Sequence, residues 1–516
     1  MQSSLDVTNS PLAPESVRSD RAFKIGTVIV LAALYLLYIN RFSFDLDGEL
    51  VFSLSDDQMI SMRYADNLAS GNGLVWNPGE RVEGFTNPLW TAYMAIWHVA
   101  QVPRTKTSLA IMLTSALILI LNALAVYSIA SRLSPHSPIV ARVAMLLTGT
   151  YWSLVDWSLA GFEVGLTALL TSVVVLQSFI YMESRRTRHL VAIAVCLIAL
   201  GWTRLEMLPI AGVPVAYLFL VNAGRARVLS VVVVPVVASV AVLFATRHWY
   251  YGEWLPNTYY LKLTGIAMRD RVTMGLNKTF TTLLTHFSLL LVPMALLVPG
   301  SRRDHRIWIL MAIFATGVLY TIYIGGDTWE RPYHANRFLS ATTPLLFVVT
   351  LHVMNERMEP LRRDPRAASL LLAVVGILMA VGLGGRSFNE WLKFPVENYG
   401  LFKMVKLGVE LREGAPLDSR VAVVWAGALP YFSRLYSIDL LGKSDKVIAR
   451  SKPHNMATGH NKWNYEHSVG VLKPDYIVEL WHPTEADIAY ISRLGYSQKP
   501  GGIYIRNRPA HEVASH

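Results

Sequence analysis

Long apolar runs separated by short polar links make up most of the chain. The first covers about 25–41, and a polar stretch, 42–86, follows it. Further runs lie near 87–102, 108–131, 140–158, 163–182, 189–202, 206–222, 228–247, 279–298, 306–324, 338–354 and 367–384. Most are long enough to predict membrane-spanning helices. The run 87–102 is short enough to lie in the interface or to insert only partly. From about 385 the pattern changes. A polar, helix-like segment from Asn389 to Arg412 leads into strand-like runs at Val421–Trp425, Tyr436–Asp439 and Tyr476–Leu480. Short apolar runs between turn residues predict a small α/β domain over 385–516. No fixed-period repeat interrupts this plan.

Basic residues orient the runs. Arg18, Arg21 and Lys24 precede the first, and Arg185, Arg186, Arg188, Arg225, Arg227, Arg302, Arg303, Arg306, Arg357, Arg362, Arg363 and Arg366 sit in later links. Such clusters mark the cytoplasmic side. Residues 1–23 then form a disordered cytoplasmic tail, and 24–384 a transmembrane domain. The segments near 42–86, 203–206, 248–278, 325–337 and everything after 385 face outward. The links 103–107 (Arg104, Lys106) and 132–142 (Arg132, Arg142) both look cytoplasmic, yet one run separates them. A cytoplasmic start and an outer end require an odd number of spans, so the expectation is about 11 to 13.

Composition sharpens the class. The 516 residues are 53% hydrophobic and 16% charged, well below the roughly 25% charged of soluble domains. The net charge of +11 comes from the clusters between runs, which argues against a nucleic-acid surface. The single cysteine, Cys196, lies within an apolar run and excludes an intrachain disulfide. The first run lacks a small-residue cleavage site and reads as a retained anchor.

A transporter would hold its ionisable groups near mid-membrane, on broken helices. Here they gather on the outer side: Asp56, Asp57 and Arg63; Glu163; Arg204 and Glu206; Asn257, Tyr259, Tyr260 and Lys262; Asp327, His334 and Arg337. Each has a plain structural reading. Asp56 and Asp57 suit a helix N-terminus. Arg63 can pair with Asp66 or another surface acid. Trp76, Phe85 and Trp90 suit interfacial anchors. Arg204, Lys262 and Arg337 can snorkel, but on one face they also make an anion pocket.

Those residue types suit glycosyl transfer from a polyprenyl-phosphate sugar. Cations would stabilise the leaving phosphate. A carboxylate would deprotonate the acceptor hydroxyl or act on the anomeric carbon. A divalent cation is compatible with the acids, although no ligand spacing argues for one.

The segment DDQMISMRYADNLASGNGLVWNPGERVEGFTNPLW (56–90) resembles the first outer loop of a branch of the GT-C glycosyltransferases. That branch includes mycobacterial terminal arabinofuranosyltransferases and related bacterial enzymes, some acting on pilin. The likeness continues through AGFEVGL (160–166), with Phe162 where Leu is usual, TRLE (203–206) and LPNTYYLKL (255–263). GGDTWERPYHANRF (325–338), LLGKSDKVIAR (440–450) and GHNK (459–462) extend it, with Lys443-Ser444 where Leu-Thr is common.

The resemblance implies a polytopic α-helical GT-C membrane fold with a small extracytoplasmic α/β domain. It implies a polyprenyl-phosphate sugar donor, with D-arabinofuranose the expected pentose and a cell-envelope glycan or protein as acceptor. The enzyme would sit in the plasma membrane with its site on the outer face. Asp56 or Asp57 would be the catalytic acid. Arg63, Arg204, Lys262 and Arg337 would contact phosphate. Glu163, Glu206, Tyr260, Asp327, His334 and His460 would shape or brace the sugar pocket. The rivals are a lipid-linked hexose or aminopentose transferase acting on lipid A, glycan or protein, and a transporter or flippase of lipid-linked sugar.

Overall fold

The computed structural model describes residues 14–221, 224–285, 287, 304–326, 336–357, 373–374, 376–377, 399–456 and 459–507. Among the described residues six helices are long and apolar enough to cross a membrane: Arg18–Arg41, Arg104–Leu133, Val164–Ser184, Arg225–Tyr251, His305–Ile324 and Arg337–Arg357. Pro138–Thr150 and Trp152–Leu159, bent by 45° at Tyr151, make a seventh if taken as one span. The run 189–202 forms a shorter apolar helix, Thr187–Thr203. The run 206–222 is divided into Met207–Ala211 and Val213–Val221. The expected spans at 279–298 and 367–384 fall largely outside the described residues. The chain is a multi-pass membrane protein.

The two ends of the bundle differ in chemistry. At one, Lys24 and Arg142 meet Asp20 at 2.9 and 3.6 Å, Arg132 meets Glu183 at 2.6 Å, and Arg306 meets Asp304 at 2.7 Å. The sequence assigned the arginines of this end to the cytoplasm. At the other end, Arg41 closes α1 (Pro14–Arg41) and the chain turns through a hairpin, β1 (Ser43–Leu46) and β2 (Glu49–Phe52). It then enters α2 (Asp56–Ala69), which packs against α3 (Pro88–Val99).

One orientation expectation is corrected here. Arg104 and Lys106 open α4 (Arg104–Leu133) at the same end as the 42–86 stretch. Arg104 meets Asp66 at 2.5 Å and donates to the Tyr431 carbonyl, while Lys106 donates to the Leu50 carbonyl. These specific acceptors hold the two cations at the end that carries the 42–86 stretch, away from Arg132 and Arg142, against the local charge rule. The run 87–102 therefore does not cross. It becomes α3, lying at that end, as its short length allows.

The C-terminal segment forms a five-stranded mixed sheet in the order β4-β3-β5-β7-β6. β3 (Arg420–Val423) runs parallel to β4 (Tyr436–Asp439) and β5 (Tyr476–Ile477). β7 (Tyr504–Arg506) is antiparallel to β5 and to β6 (Tyr496–Gln498). One face of the sheet region joins the main apolar core, through Val421, Val423, Leu429 and Phe432. The other closes on Ala422, Ile438, Ile477 and Tyr496.

A seam welds this sheet to the 42–86 stretch. Gly427 is needed there, because a Cβ would lie 1.8 Å from the Asp56 carbonyl oxygen. Trp76, Phe85 and Trp90 are buried, which corrects their reading as interfacial anchors. The Trp76 indole donates to the Ala426 carbonyl and the Trp90 indole to that of Gly161. Burial that satisfies the N–H is the favoured state of such a ring.

Candidate active site

The first turn of α2 holds two adjacent acids and sends them in different directions. Asp57 faces a cavity of about 80 Å³. Lys443, from the loop after β4, places its ammonium on Asp57 Oδ1. Arg204, Lys262, Arg337 and His460 line the same cavity. Asp56 instead accepts from the backbone N–H groups of Gly427 and Ala428, at 3.2 and 2.8 Å. It thereby caps the helix Ala428–Ser433 across the seam.

The two carboxyls titrate in opposite directions. Burial pushes Asp56 up to about 7, with the two N–H bonds and Lys443 opposing and Asp57 adding to the rise. Burial also works to raise Asp57, but the Lys443 ammonium, with His460 and Arg337 behind it, holds it below the usual carboxylate range. Asp57 is therefore ionised at neutral pH.

Arg204 sits where the helix Thr187–Thr203 ends, and its guanidinium is braced from two sides. Its Nε lies 2.8 Å from Glu206 and 3.3 Å from the buried Glu163, and an Nη donates to Thr86 at 2.6 Å. Asn87 donates to Glu163 at 2.7 Å and accepts from Ser61 of α2 at 3.0 Å. Such a network fixes a cation's position before any ligand arrives. Arg337 opens its helix with its guanidinium over the rings of Phe162 and Trp157, at 5.2 and 5.6 Å. Phe162, where Leu is usual in the resembling family, thus supplies a face for Arg337. Lys262 closes Asn257–Leu263 beside Gly459.

Arg63 is not brought to this cavity. Its guanidinium is buried in the seam and donates to the carbonyls of Trp76, Pro430 and Leu435 and to Asn77. Asp66, its expected partner, is taken by Arg104. Tyr260 lies beside the cavity lining, donating to Glu253 at 3.3 Å under the guanidinium of Arg450. Lys462, fully buried, ties the GHNK loop to this region by donating to the Tyr260 and Ala449 carbonyls at 3.0 and 2.7 Å. Asp327 and His334 lie outside the described residues.

Sequence reasoning left Lys443 out of the candidate set, although its departure from Leu-Thr was a signal. Thr86, Asn87 and Ser61 gave none, since each acts only through partners distant in sequence. Among the described residues no three His, Cys, Asp or Glu side chains gather as a metal site. Asp57 is engaged by an ammonium, and Glu163 and Glu206 are turned onto Arg204. These donors do not fit a divalent ion.

With this geometry in view, likenesses to known proteins define the fold. The structure of ArnT from Cupriavidus metallidurans in the apo state matches with TM-score 0.58 and 11% identity, covering 93% of this chain and 97% of that one. The same protein bound to undecaprenyl phosphate gives 0.56, at 11% identity over 93% and 97% of the two chains. The Archaeoglobus fulgidus oligosaccharyltransferase complex with Zn and sulfate gives 0.52, at 12% identity over 93% and 73%. The chain has the GT-C membrane fold. By sequence it is 29% identical over 239 residues to the terminal β-(1→2)-arabinofuranosyltransferase of Corynebacterium glutamicum, a match covering 42% of this chain. The chain spans about a third, 34%, of that relative's length. Residues 396–509 match the model of a domain of unknown function.

Proposed function

We propose that the chain is a membrane glycosyltransferase that moves a pentose, D-arabinofuranose, from a polyprenyl phosphate to a cell-envelope glycan or protein. The observation that carries this reading is the cavity where one ionised carboxylate, Asp57, stands among Arg204, Lys262, Arg337 and Lys443. It lies at the end of the bundle away from the arginine-rich links, which on the charge rule is the extracytoplasmic face of the plasma membrane. The C-terminal sheet then lies over the site on the extracytoplasmic side, and the start of α1 faces the cytoplasm, its helix from Pro14 replacing the second half of the disordered tail expected over 1–23.

A lipid-borne donor lies with its chain among the spans and its phosphate at this end. Lys262 and Arg337 meet the phosphate, and Arg204 adds a third cation held by Glu163 and Glu206. Asp57 takes the proton of the acceptor hydroxyl as that oxygen bonds to the anomeric carbon. The bond from that carbon to the phosphate oxygen breaks, and polyprenyl phosphate leaves with the electron pair. Charge grows on the phosphate during this step, so preset cations lower the barrier. Asp56, bonded to backbone N–H groups across the seam, holds α2 and the sheet in register.

The test is transfer by the purified chain from synthetic polyprenyl-phosphate donors carrying arabinofuranose, a hexose or an aminopentose. Preferred transfer of arabinose is expected. Preference for another sugar would replace the sugar assignment and keep the transferase. Movement of donor across a bilayer without bond cleavage would overturn the reading in favour of a flippase.

A further inference from the structure

Beyond the reaction cavity, aromatic rings continue outward over the C-terminal sheet. His460, which lines the cavity, lies 5.9 Å from Trp481. Trp481 is 4.7 Å from His482, and His482 is 6.0 Å from Trp463. Trp463 in turn stacks on His454 at 3.9 Å, with the planes 17° apart. The outer rings border a groove of about 650 Å³, lined also by Asn464, Glu466 and Asp487.

Two features set this track apart from ordinary packing. His482 is solvent-exposed, yet its backbone is left-handed, at φ +48°. A residue other than glycine is uncommon there and costs free energy. The left-handed backbone places an exposed imidazole between two indoles, Trp463 and Trp481, that themselves pack on the core of the sheet. The groove also mixes acids, an amide, hydroxyls and the single cation Lys452. That balance does not suit a polyanion. It suits a neutral polyol, whose C–H faces lie on aromatic rings while its hydroxyls find amide and carboxylate partners.

We propose that the His460–Trp481–His482–Trp463–His454 track is a binding site for a neutral oligosaccharide leading to the reaction cavity. Its role as the acceptor subsite rests on the transferase reading, whereas its affinity for glycan does not. Successive sugar units occupy the groove beside Trp463 and His482, and the terminal unit enters past His460.

The experiment is calorimetric titration of the full chain in lipid nanodiscs with arabinofuranose mono-, tri- and pentasaccharides, with no donor present. Affinity rises with length in the wild type. Trp463→Ala and His482→Gly each weaken pentasaccharide binding about three- to tenfold, the share of one aromatic contact. Polyprenyl phosphate binding stays unchanged in both. His482→Gly relieves the left-handed backbone and keeps the fold, so it decides the matter even where Trp463→Ala misfolds. Absence of saturable binding in the wild type, or equal pentasaccharide affinity in wild type and His482→Gly, overturns the proposal. Length-dependent binding that His482→Gly weakens, in a chain that transfers no sugar, supports the site and sinks the transferase reading instead.

Discussion

The seam and the cavity are built from the same residue types and come to opposite ends. Both draw an aspartate from the first turn of α2, and both hold arginine. In the seam, Arg63 is surrounded by acceptors of its own chain and Asp56 by two backbone N–H groups. In the cavity, Asp57, Lys262, Arg337 and Lys443 border open space. A charge whose bonds are completed by the chain's own backbone serves the fold. A charge held in place at a void is available to a ligand. The difference lies in which main-chain groups surround each side chain, not in residue type.

Four substitutions probe this contrast, and the largest effect falls in the seam. Arg63→Met removes the guanidinium's bonds to three buried carbonyls and Asn77, and a hydrogen bond to a charged group contributes about 1.5–3 kcal/mol. A loss of about 3 kcal/mol or more is expected, read as a lower melting temperature or unrecoverable protein. Unchanged melting would break the contrast by freeing Arg63 for ligand. Arg337→Gln, on the cavity side, is expected to lower turnover of a polyprenyl-phosphate donor about a hundredfold. Its melting temperature should stay near that of the wild type.

Lys443→Met sharpens the cavity side. Lys443 holds Asp57 down, so its loss lets burial raise that carboxyl. The acid limb of the rate–pH profile should move up by about one unit or more. The smallest effect belongs to Asp56. Its folded-state carboxyl is raised to about 7, so the folded chain holds a proton that the unfolded chain releases near 3.8. This contribution to stability is fully present below that lower value and is lost as pH rises through about 7. Asp56→Asn removes the loss, and stability between these limits should become flatter with pH in denaturation curves. Asp57, held low, acts in reverse: its contribution is present at neutral pH and fades only in strong acid.

Much of the architecture was legible because its causes are local. Apolar length announces a span, and short apolar runs between turn residues found β3, β4 and β5. The grouping of polar residues at one end was legible through topology, and it brought Asp57, Arg204, Lys262, Arg337 and His460 onto one cavity. What failed to show depends on distant chain. Arg63 is held by carbonyls at Pro430 and Leu435, more than three hundred residues away. Asp56 and Asp57 are indistinguishable by type and part only because Gly427 comes within reach of one. Arg104 and Lys106 read as cytoplasmic from charge alone, until Asp66 and the Leu50 carbonyl claim them.

The central claim is that neighbouring aspartates divide the work, Asp57 in the chemistry and Asp56 in the seam. Sugar transfer from synthetic polyprenyl-phosphate arabinofuranose, measured side by side for Asp57→Asn and Asp56→Asn, tests it most directly. The account predicts that Asp57→Asn loses about a hundredfold or more in rate while folding normally. Asp56→Asn, whose amide oxygen can still accept from Ala428, should keep most of its activity. Full activity in Asp57→Asn, or a greater loss in Asp56→Asn than in Asp57→Asn, would contradict the account.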